Sequence, residues 1–180
     1  QQVLSSTQVD PQDPNTFLFL TQNAAEGVNY GAEFSLNSQL SDSLDLFVNI
    51  GFLETEIQNY ESRSDLEGRE QAHAPSNSFS AGISWELTRD MELLIDVTGK
   101  SDFYYSESHD NKSDDYVLTN LNLIYKKDNL NLNFWLRNIF DEYYSLRGFY
   151  FGNEPPNFED TLYERHGDPR HYGISMSYEF

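Results

Sequence analysis

The sequence predicts an all-β fold, an antiparallel transmembrane β-barrel segment of about eight strands. Three features carry this expectation. Apolar and polar residues alternate with period two from about residue 28 onward, the connections alternate between short and long, and the last alternating strand ends on Phe180.

The opening stretch reads as the end of an upward strand at residues 3–6, an outer loop at Asp10-Pro11-Gln12-Asp13-Pro14-Asn15, and a long downward strand over 16–40 with a bend or bulge at Gly27. Within that strand Tyr30, Ala32, Phe34, Leu36 and Leu40 share one parity, opposite Gly31, Glu33, Ser35, Asn37 and Gln39. Leu44, Leu46, Val48, Ile50 and Phe52 repeat the pattern, followed by Phe79, Ala81, Ile83, Trp85 and Leu87, and by Met91, Leu93, Ile95 and Val97. Val117, Thr119, Leu121, Leu123 and Tyr125 form the next row. Leu130, Leu132, Phe134 and Leu136 then stand against Asn131, Asn133, Trp135 and Arg137. The last row is Tyr172, Ile174, Met176, Tyr178 and Phe180. Crossing a tilted barrel wall takes about 9 to 11 residues, and most of these segments reach that length.

Ser41-Asp42-Ser43, Arg89-Asp90 and Asp128-Asn129 are tight polar turns of the kind that close hairpins. Between them lie long polar connections at roughly 58–76, 104–115 and 141–169. Bacterial outer-membrane barrels have short periplasmic turns and long extracellular loops, and this order reproduces that asymmetry, which places Phe180 on the periplasmic side. The pattern alone leaves three architectures open: a soluble antiparallel sandwich, a complete small barrel, and a segment of a larger barrel. An opening that falls within a strand favours the third.

The composition is compatible with this. The 180 residues are 38% apolar and 15% aromatic and carry a net charge of -19, values that also suit a soluble acidic domain. The mean hydropathy of -0.65 does not discriminate, because lipid-facing and lumen-facing residues alternate along a barrel strand and average out. No run of about 20 apolar residues is present, which excludes a spanning helix. The absence of cysteine excludes disulfides, thiolate metal sites and cysteine nucleophiles. Gln1-Gln2-Val3-Leu4 has neither the basic start nor the apolar stretch of a signal peptide, so a removed leader or a fragment is expected. The acidic balance argues against nucleic acid as a partner, since phosphate binding needs clustered Lys and Arg.

Local motifs add a resemblance. Arg137-Asn138-Ile139-Phe140-Asp141-Glu142-Tyr143-Tyr144 resembles the Asn-Leu-Phe-Asp-x-x-Tyr signature near the end of TonB-dependent receptors, with Ile139 in place of the usual Leu. Gly167-Asp168-Pro169-Arg170-His171-Tyr172-Gly173 is similar to the closing Gly-x-Pro-Arg segment of that family. Glu26-Gly27-Val28-Asn29-Tyr30-Gly31-Ala32-Glu33 is similar to its Gly-x-Glu strand, and Leu66-Glu67-Gly68 with Ala74-Pro75 to its Leu-x-Gly…Pro loop end. In order and spacing they cover most of residues 26–180.

The resemblance implies a barrel of about 22 strands, an N-terminal plug domain, and contact with the TonB complex through the missing N-terminal part. Residues 1–180 are then the C-terminal portion of the barrel, with plug and earlier strands absent. It also implies the outer membrane of a Gram-negative bacterium, surrounding lipid, and active uptake of a scarce small-molecule ligand. An iron-siderophore complex leads, ahead of cobalamin, haem, oligosaccharide and other metal complexes. The rival is a small self-contained outer-membrane barrel acting as a passive channel or structural protein. Tyr172, Ile174, Met176, Tyr178 and Phe180 resemble the terminal signal read by the barrel assembly machinery, with girdle aromatics as the other reading.

Two further residue sets are candidates for function. Aromatics presented with arginine make rigid surfaces for planar or sugar-like ligands, which singles out Tyr104, Tyr105, Arg147, Phe149, Tyr150 and Phe151 in the outer loops. Tyr104, Tyr143 and Tyr144 equally suit an outer aromatic girdle. Glu33, Glu92, Asp96, Lys100 and Arg137 fall on the polar parity, where a plug or a water-filled lumen meets the wall. The histidines at 73, 109, 166 and 171 sit in no nucleophile elbow, zinc helix or phosphate loop, so neither an enzyme nor a cofactor is expected. His109 with Asp110, Asp114 and Asp115 is the nearest approach to a metal site, and loop carboxylates ordinarily face water.

Overall fold

A computed structural model describes residues 2–9, 17–23, 26–60, 63–107, 109–152 and 154–180, with the backbone alone for 2–8 and 17–23. Among the described residues eleven strands follow in chain order: β1 (Gln2–Gln8), β2 (Phe17–Asn23), β3 (Glu26–Ser41), β4 (Leu44–Asn59), β5 (Asn77–Thr88), β6 (Met91–Lys100), β7 (Tyr116–Lys127), β8 (Leu130–Arg137), β9 (Ser145–Phe151), β10 (Thr161–His166) and β11 (His171–Tyr178). The surplus over eight has two sources. The strand expected over 16–40 is divided into β2 and β3, and the 141–169 connection contains the hairpin β9–β10. The loop expected at residues 10–15 lies outside the described residues.

By internal contacts the chain forms two compact units, Gln1–Tyr30 with Glu54–Gln71, and Gly31–Leu53 with Ala72–Phe180. In the first, β1 and β2 pair antiparallel from Gln2↔Asn23 to Gln8↔Phe17. Its small core is Ile57, Tyr60 and Leu66. The Leu66-Glu67-Gly68 motif has a visible job there. Leu66 fills the core, Glu67 Oε1 accepts from the Tyr60 N–H at 3.1 Å, and Gly68 turns the chain at φ +82°. Its N–H then reaches the Ile57 carbonyl at 2.8 Å. A side chain at that φ is strained, which is why glycine holds the position.

Seven strands form one antiparallel sheet in the order β11-β8-β7-β6-β5-β4-β3, with β3 and β11 as its edges. Consecutive strands from β3 to β8 are neighbours, and β11 follows after the β9–β10 hairpin. The turns at 42–43, 89–90 and 128–129 are tight, and Asp128 sits at φ +51°, the left-handed conformation a two-residue hairpin turn asks for.

The pairing aligns the apolar rows read from the sequence. Leu46, Ile83, Ile95, Leu121, Leu136 and Tyr172 stand side by side across six strands, as do Leu44, Trp85, Leu93, Leu123, Phe134 and Ile174. Among the described residues nothing covers this face: Trp85 is 45% exposed and Ile174 73%. A continuous apolar face of this kind is costly in water and stable against hydrocarbon. The buried aromatics Phe103, Tyr105 and Tyr116 lie instead in and beside the 101–115 connection.

Candidate functional site

The opposite face of the sheet is polar and internally bonded. Ser84 Oγ donates to Glu92 Oε1 at 2.7 Å, Asn120 Nδ2 to Asp96 Oδ2 at 2.7 Å, Arg137 Nη2 to Asn122 Oδ1 at 3.1 Å, and Asn49 Nδ2 to Ser80 Oγ at 3.1 Å. Glu92, Asp96, Lys100 and Arg137 therefore lie on the side opposite the apolar rows, and exposed Glu33 follows the same alternation on β3. Lys100 ends this row, where its Nζ lies 4.8 Å from the Phe103 ring centre and 5.3 Å from that of Tyr116. Trp135 lies on this face as well, as do the apolar side chains of Phe47, Leu94 and Ile124. Trp135 covers Gly173 on β11 so closely that a Cβ there would lie 2.3 Å from the indole.

The two motifs at 137–144 and 167–173 are clamped together. Asn138 is 4% exposed and sits at φ +48°. Its Nδ2 donates to the carbonyls of Glu142 at 2.9 Å and Asp168 at 3.1 Å, and its Oδ1 accepts from the Glu142 N–H at 2.8 Å. Asp141 Oδ1 accepts from the Arg170 N–H at 2.8 Å. Tyr144 lies over Gly167, whose N–H donates to the Tyr144 carbonyl at 2.9 Å. These bonds satisfy backbone groups in a turn with no ladder partner, a need that only an Asn tolerant of the left-handed region and a correctly placed Asp meet so compactly. The clamp brings the end of β8 to the start of β11 and leaves the β9–β10 hairpin projecting between them.

Residues 145–151 form a strand because 161–166 return to pair with them, from Thr161↔Phe151 to Arg165↔Arg147. One face of the hairpin packs on the 101–115 connection. Gly148 lies under the Tyr105 ring, Tyr105 OH donates to Glu164 Oε1 at 2.5 Å, and Tyr150 stacks on His109 with ring centres 3.5 Å apart. Ser145 Oγ donates to the same Glu164 oxygen at 2.8 Å and lies 3.1 Å from His166 Nδ1, while Tyr143 OH is 2.7 Å from His166 Nε2. Serine, not histidine, is the middle member of this group, so it lacks the relay of a nucleophilic triad. Its geometry is that of a bonded hinge at the hairpin base.

The electrostatics follow from packing. Burial, and then the bond to Glu164, push the Tyr105 phenol from its usual value near 10 up to about 12. That same bond holds the Glu164 carboxyl below its ordinary range. Burial, with Arg147 and Lys100 as neighbouring cations, lowers His73.

The six loop residues singled out from the sequence thus occupy different settings. Tyr105 is 3% exposed and its hydroxyl is already bonded. Tyr104 stands beneath Lys112, whose Nζ is 4.3 Å from the ring centre. Tyr150 is on the packed face, and its buried hydroxyl has no hydrogen-bond partner among the described residues. Arg147, Phe149 and Phe151 share the opposite, exposed face. That face also carries Tyr163, stacked on Phe149 with ring centres 6.3 Å apart, and Arg165, which sequence reading passed over. Only strand pairing reveals Arg165 as a neighbour of Arg147; the cue available beforehand was the turn-forming stretch Pro155-Pro156-Asn157 between two aromatic runs. On the exposed edge strand β11, Tyr172, Ile174, Met176 and Tyr178 form one uncovered row that leads to Phe180.

An antiparallel sheet with one continuous apolar face, one polar face and elaborated connections at one end is the arrangement of a membrane-barrel wall. The family model described as TonB dependent receptor-like, beta-barrel matches residues 1–139, and the chain belongs to that family. It is a family of receptors and transporters whose members reside in the outer membrane of Gram-negative bacteria. Among solved structures, the chain is similar to the ferric yersiniabactin uptake receptor FyuA from Yersinia pestis, at 14% identity and a TM-score of 0.75, covering 89% of this chain and 25% of that one. It is also similar to the ferric citrate transporter FecA, at 16% identity and a TM-score of 0.68, covering 98% and 27%. A third is the ferric preacinetobactin receptor BauA from Acinetobacter baumannii, at 19% identity and a TM-score of 0.65, covering 99% and 26%. At these identities the likeness is one of fold. The chain spans about a quarter of the length of these receptors.

Proposed function

We propose that the chain is the C-terminal barrel portion of a Gram-negative outer-membrane receptor that takes up a ferric siderophore, with energy delivered through TonB. The observation that carries the reading is the pairing of a lipid-suited sheet with an exposed cationic and aromatic hairpin face at the end where the connections are long. Such a face suits capture of a scarce, planar or multidentate iron complex. Family membership and the iron-complex receptors among the similar folds support the same ligand class.

In this reading the apolar rows meet lipid, and the polar row of Glu33, Glu92, Asp96, Lys100 and Arg137 faces a plug domain within the same protein. The β11 row ending at Phe180 is the segment read by the barrel assembly machinery, since an edge strand with unpaired backbone groups is a template for strand addition. The test is radiolabelled-iron uptake in cells that carry or lack the full-length gene, with and without TonB. The expected outcome is uptake of a ferric siderophore that needs both. Uptake that persists without TonB points to a passive channel, and no ferric complex taken up above the deletion background refutes the iron reading.

A further inference from the structure

The 101–115 connection and the β9–β10 hairpin share a core to which both contribute. The connection folds back on itself: Tyr104 and Lys112 form an antiparallel bridge, the Ser113 N–H donates to the Phe103 carbonyl at 2.9 Å, and the Tyr105 N–H donates to the Asn111 carbonyl at 3.2 Å. Buried Ser113 closes the same turn with its side chain, its Oγ accepting from the Phe103 N–H at 3.1 Å. This sets the buried rings of Phe103 and Tyr105 edge to face, with centres 6.0 Å apart.

Tyr105 meets the hairpin at a single register pair. Gly148 on β9 and Glu164 on β10 stand directly opposite each other in the ladder. The Tyr105 ring lies against Gly148, and its hydroxyl donates to Glu164 Oε1 at 2.5 Å, so one side chain holds both strands. Side chains alternate along a strand, which makes Tyr150↔Leu162 the next pair on this face, and Tyr150 stacks on His109 of the connection. Two successive cross-strand pairs are thus engaged by two different parts of the connection. A two-stranded hairpin is marginal by itself, and burial of aromatic rings is a large stabilising contribution. Each segment therefore supplies packing on which the other depends.

We propose that the 101–115 connection and the β9–β10 hairpin open and close as one cooperative unit, latched by Tyr105. Lifting the hairpin away uncovers the Tyr105 ring and breaks its bond to Glu164. Unfolding the connection withdraws the same ring and hydroxyl from Gly148 and Glu164. Neither segment opens alone without losing the shared core, which is the condition for a cooperative unit. The inference is independent of which ligand the receptor takes and of whether uptake needs TonB. Its consequence is a linkage: whatever steadies one segment steadies the other.

The test is hydrogen exchange of the full-length receptor in detergent, read by mass spectrometry on peptides covering residues 101–115, 145–151 and 161–166, with β6 as the reference. Each variant alters one segment and is read in the other. Gly148→Val sets a branched side chain against the Tyr105 ring, and should speed exchange about 10-fold in the hairpin and by the same factor in 101–115. Ser113→Ala removes the acceptor of the buried Phe103 N–H, and should speed exchange about 10-fold in 101–115 and in both hairpin strands. Where Gly148→Val does not assemble, Glu164→Ala deprives the Tyr105 hydroxyl of its acceptor and should act alike. A rise confined to the altered segment, with a change of less than about 2-fold in the other, overturns the proposal, and so do variants that leave both segments at the wild-type rate.

Discussion

Replacing Asn138 with alanine should loosen the base of the β9–β10 hairpin without unfolding the sheet. The substitution deletes two donated bonds and one accepted bond at 2.8 to 3.1 Å, all from a side chain 4% exposed. At about 1 kcal/mol net for each bond, that is about 3 kcal/mol. Alanine at φ +48° adds about 1 kcal/mol, because asparagine tolerates the left-handed region and alanine does not. Local opening should then become favoured by about 4 kcal/mol, close to 1,000-fold. Global unfolding of a membrane barrel is often irreversible, so native-state hydrogen exchange on the full-length receptor is the right assay. The reporters are the amides of Gly167, bonded to the Tyr144 carbonyl, and of Arg170, bonded to Asp141, since neither loses its own acceptor in the variant. Asp141→Asn is the control: it keeps an acceptor for Arg170 and tolerates φ +57°, and should exchange within a few-fold of wild type. Exchange in Asn138→Ala within 5-fold of wild type would refute the clamp as the element that closes the hairpin base.

Three other outcomes are expected. Gly173→Val sets a side chain against the Trp135 indole, where a Cβ alone would lie at 2.3 Å, so it should lower the heat-modifiable barrel fraction in outer membranes. Adding Trp135→Ala to it should restore part of that fraction, and strictly additive losses would sink the packing argument. Ile95→Arg on the apolar face should destabilise the barrel in lipid vesicles by about 2 to 4 kcal/mol if it lies at midplane, whereas Thr98→Arg on the polar face should cost less than about 1 kcal/mol; equal urea midpoints would contradict the assigned faces. Raising the pH should weaken packing at Tyr105. Its folded pKa near 12 lies above the unfolded value near 10, so its contribution is complete below pH 10 and is lost as pH rises through 10 to 12. Absorbance titration of phenolate should show a late step that disappears in Tyr105→Phe.

Glu164 gives the opposite dependence at the same contact. Its folded pKa is lowered, chiefly by the Tyr105 bond, so its stabilisation is present above the unfolded value near 4.5 and fades as pH falls through the folded one. The hairpin packing on the 101–115 connection is therefore bounded by loss at both ends of the pH scale.

The alternation by itself determined which side of the sheet each residue of β3 to β8 and β11 occupies, because successive side chains on a strand must point to opposite faces whatever surrounds them. It also placed the tight turns, where Asp, Asn and Ser have backbone preferences of their own. The β9–β10 hairpin escaped that reading for a physical reason. Aromatics stand on both parities of β9, Phe149 and Phe151 on one and Tyr150 on the other, since one face packs on protein and the other presents rings to the exterior, so no period-two contrast survives. Tertiary structure alone decided which strands align, how Asn138 and Asp141 reach Asp168 and Arg170, and that Tyr105 is buried while Phe149 is exposed. It alone set Arg165 opposite Arg147. Register depends on where the intervening turn closes, and 17 residues of sequence between two side chains say nothing of their distance until the ladder forms.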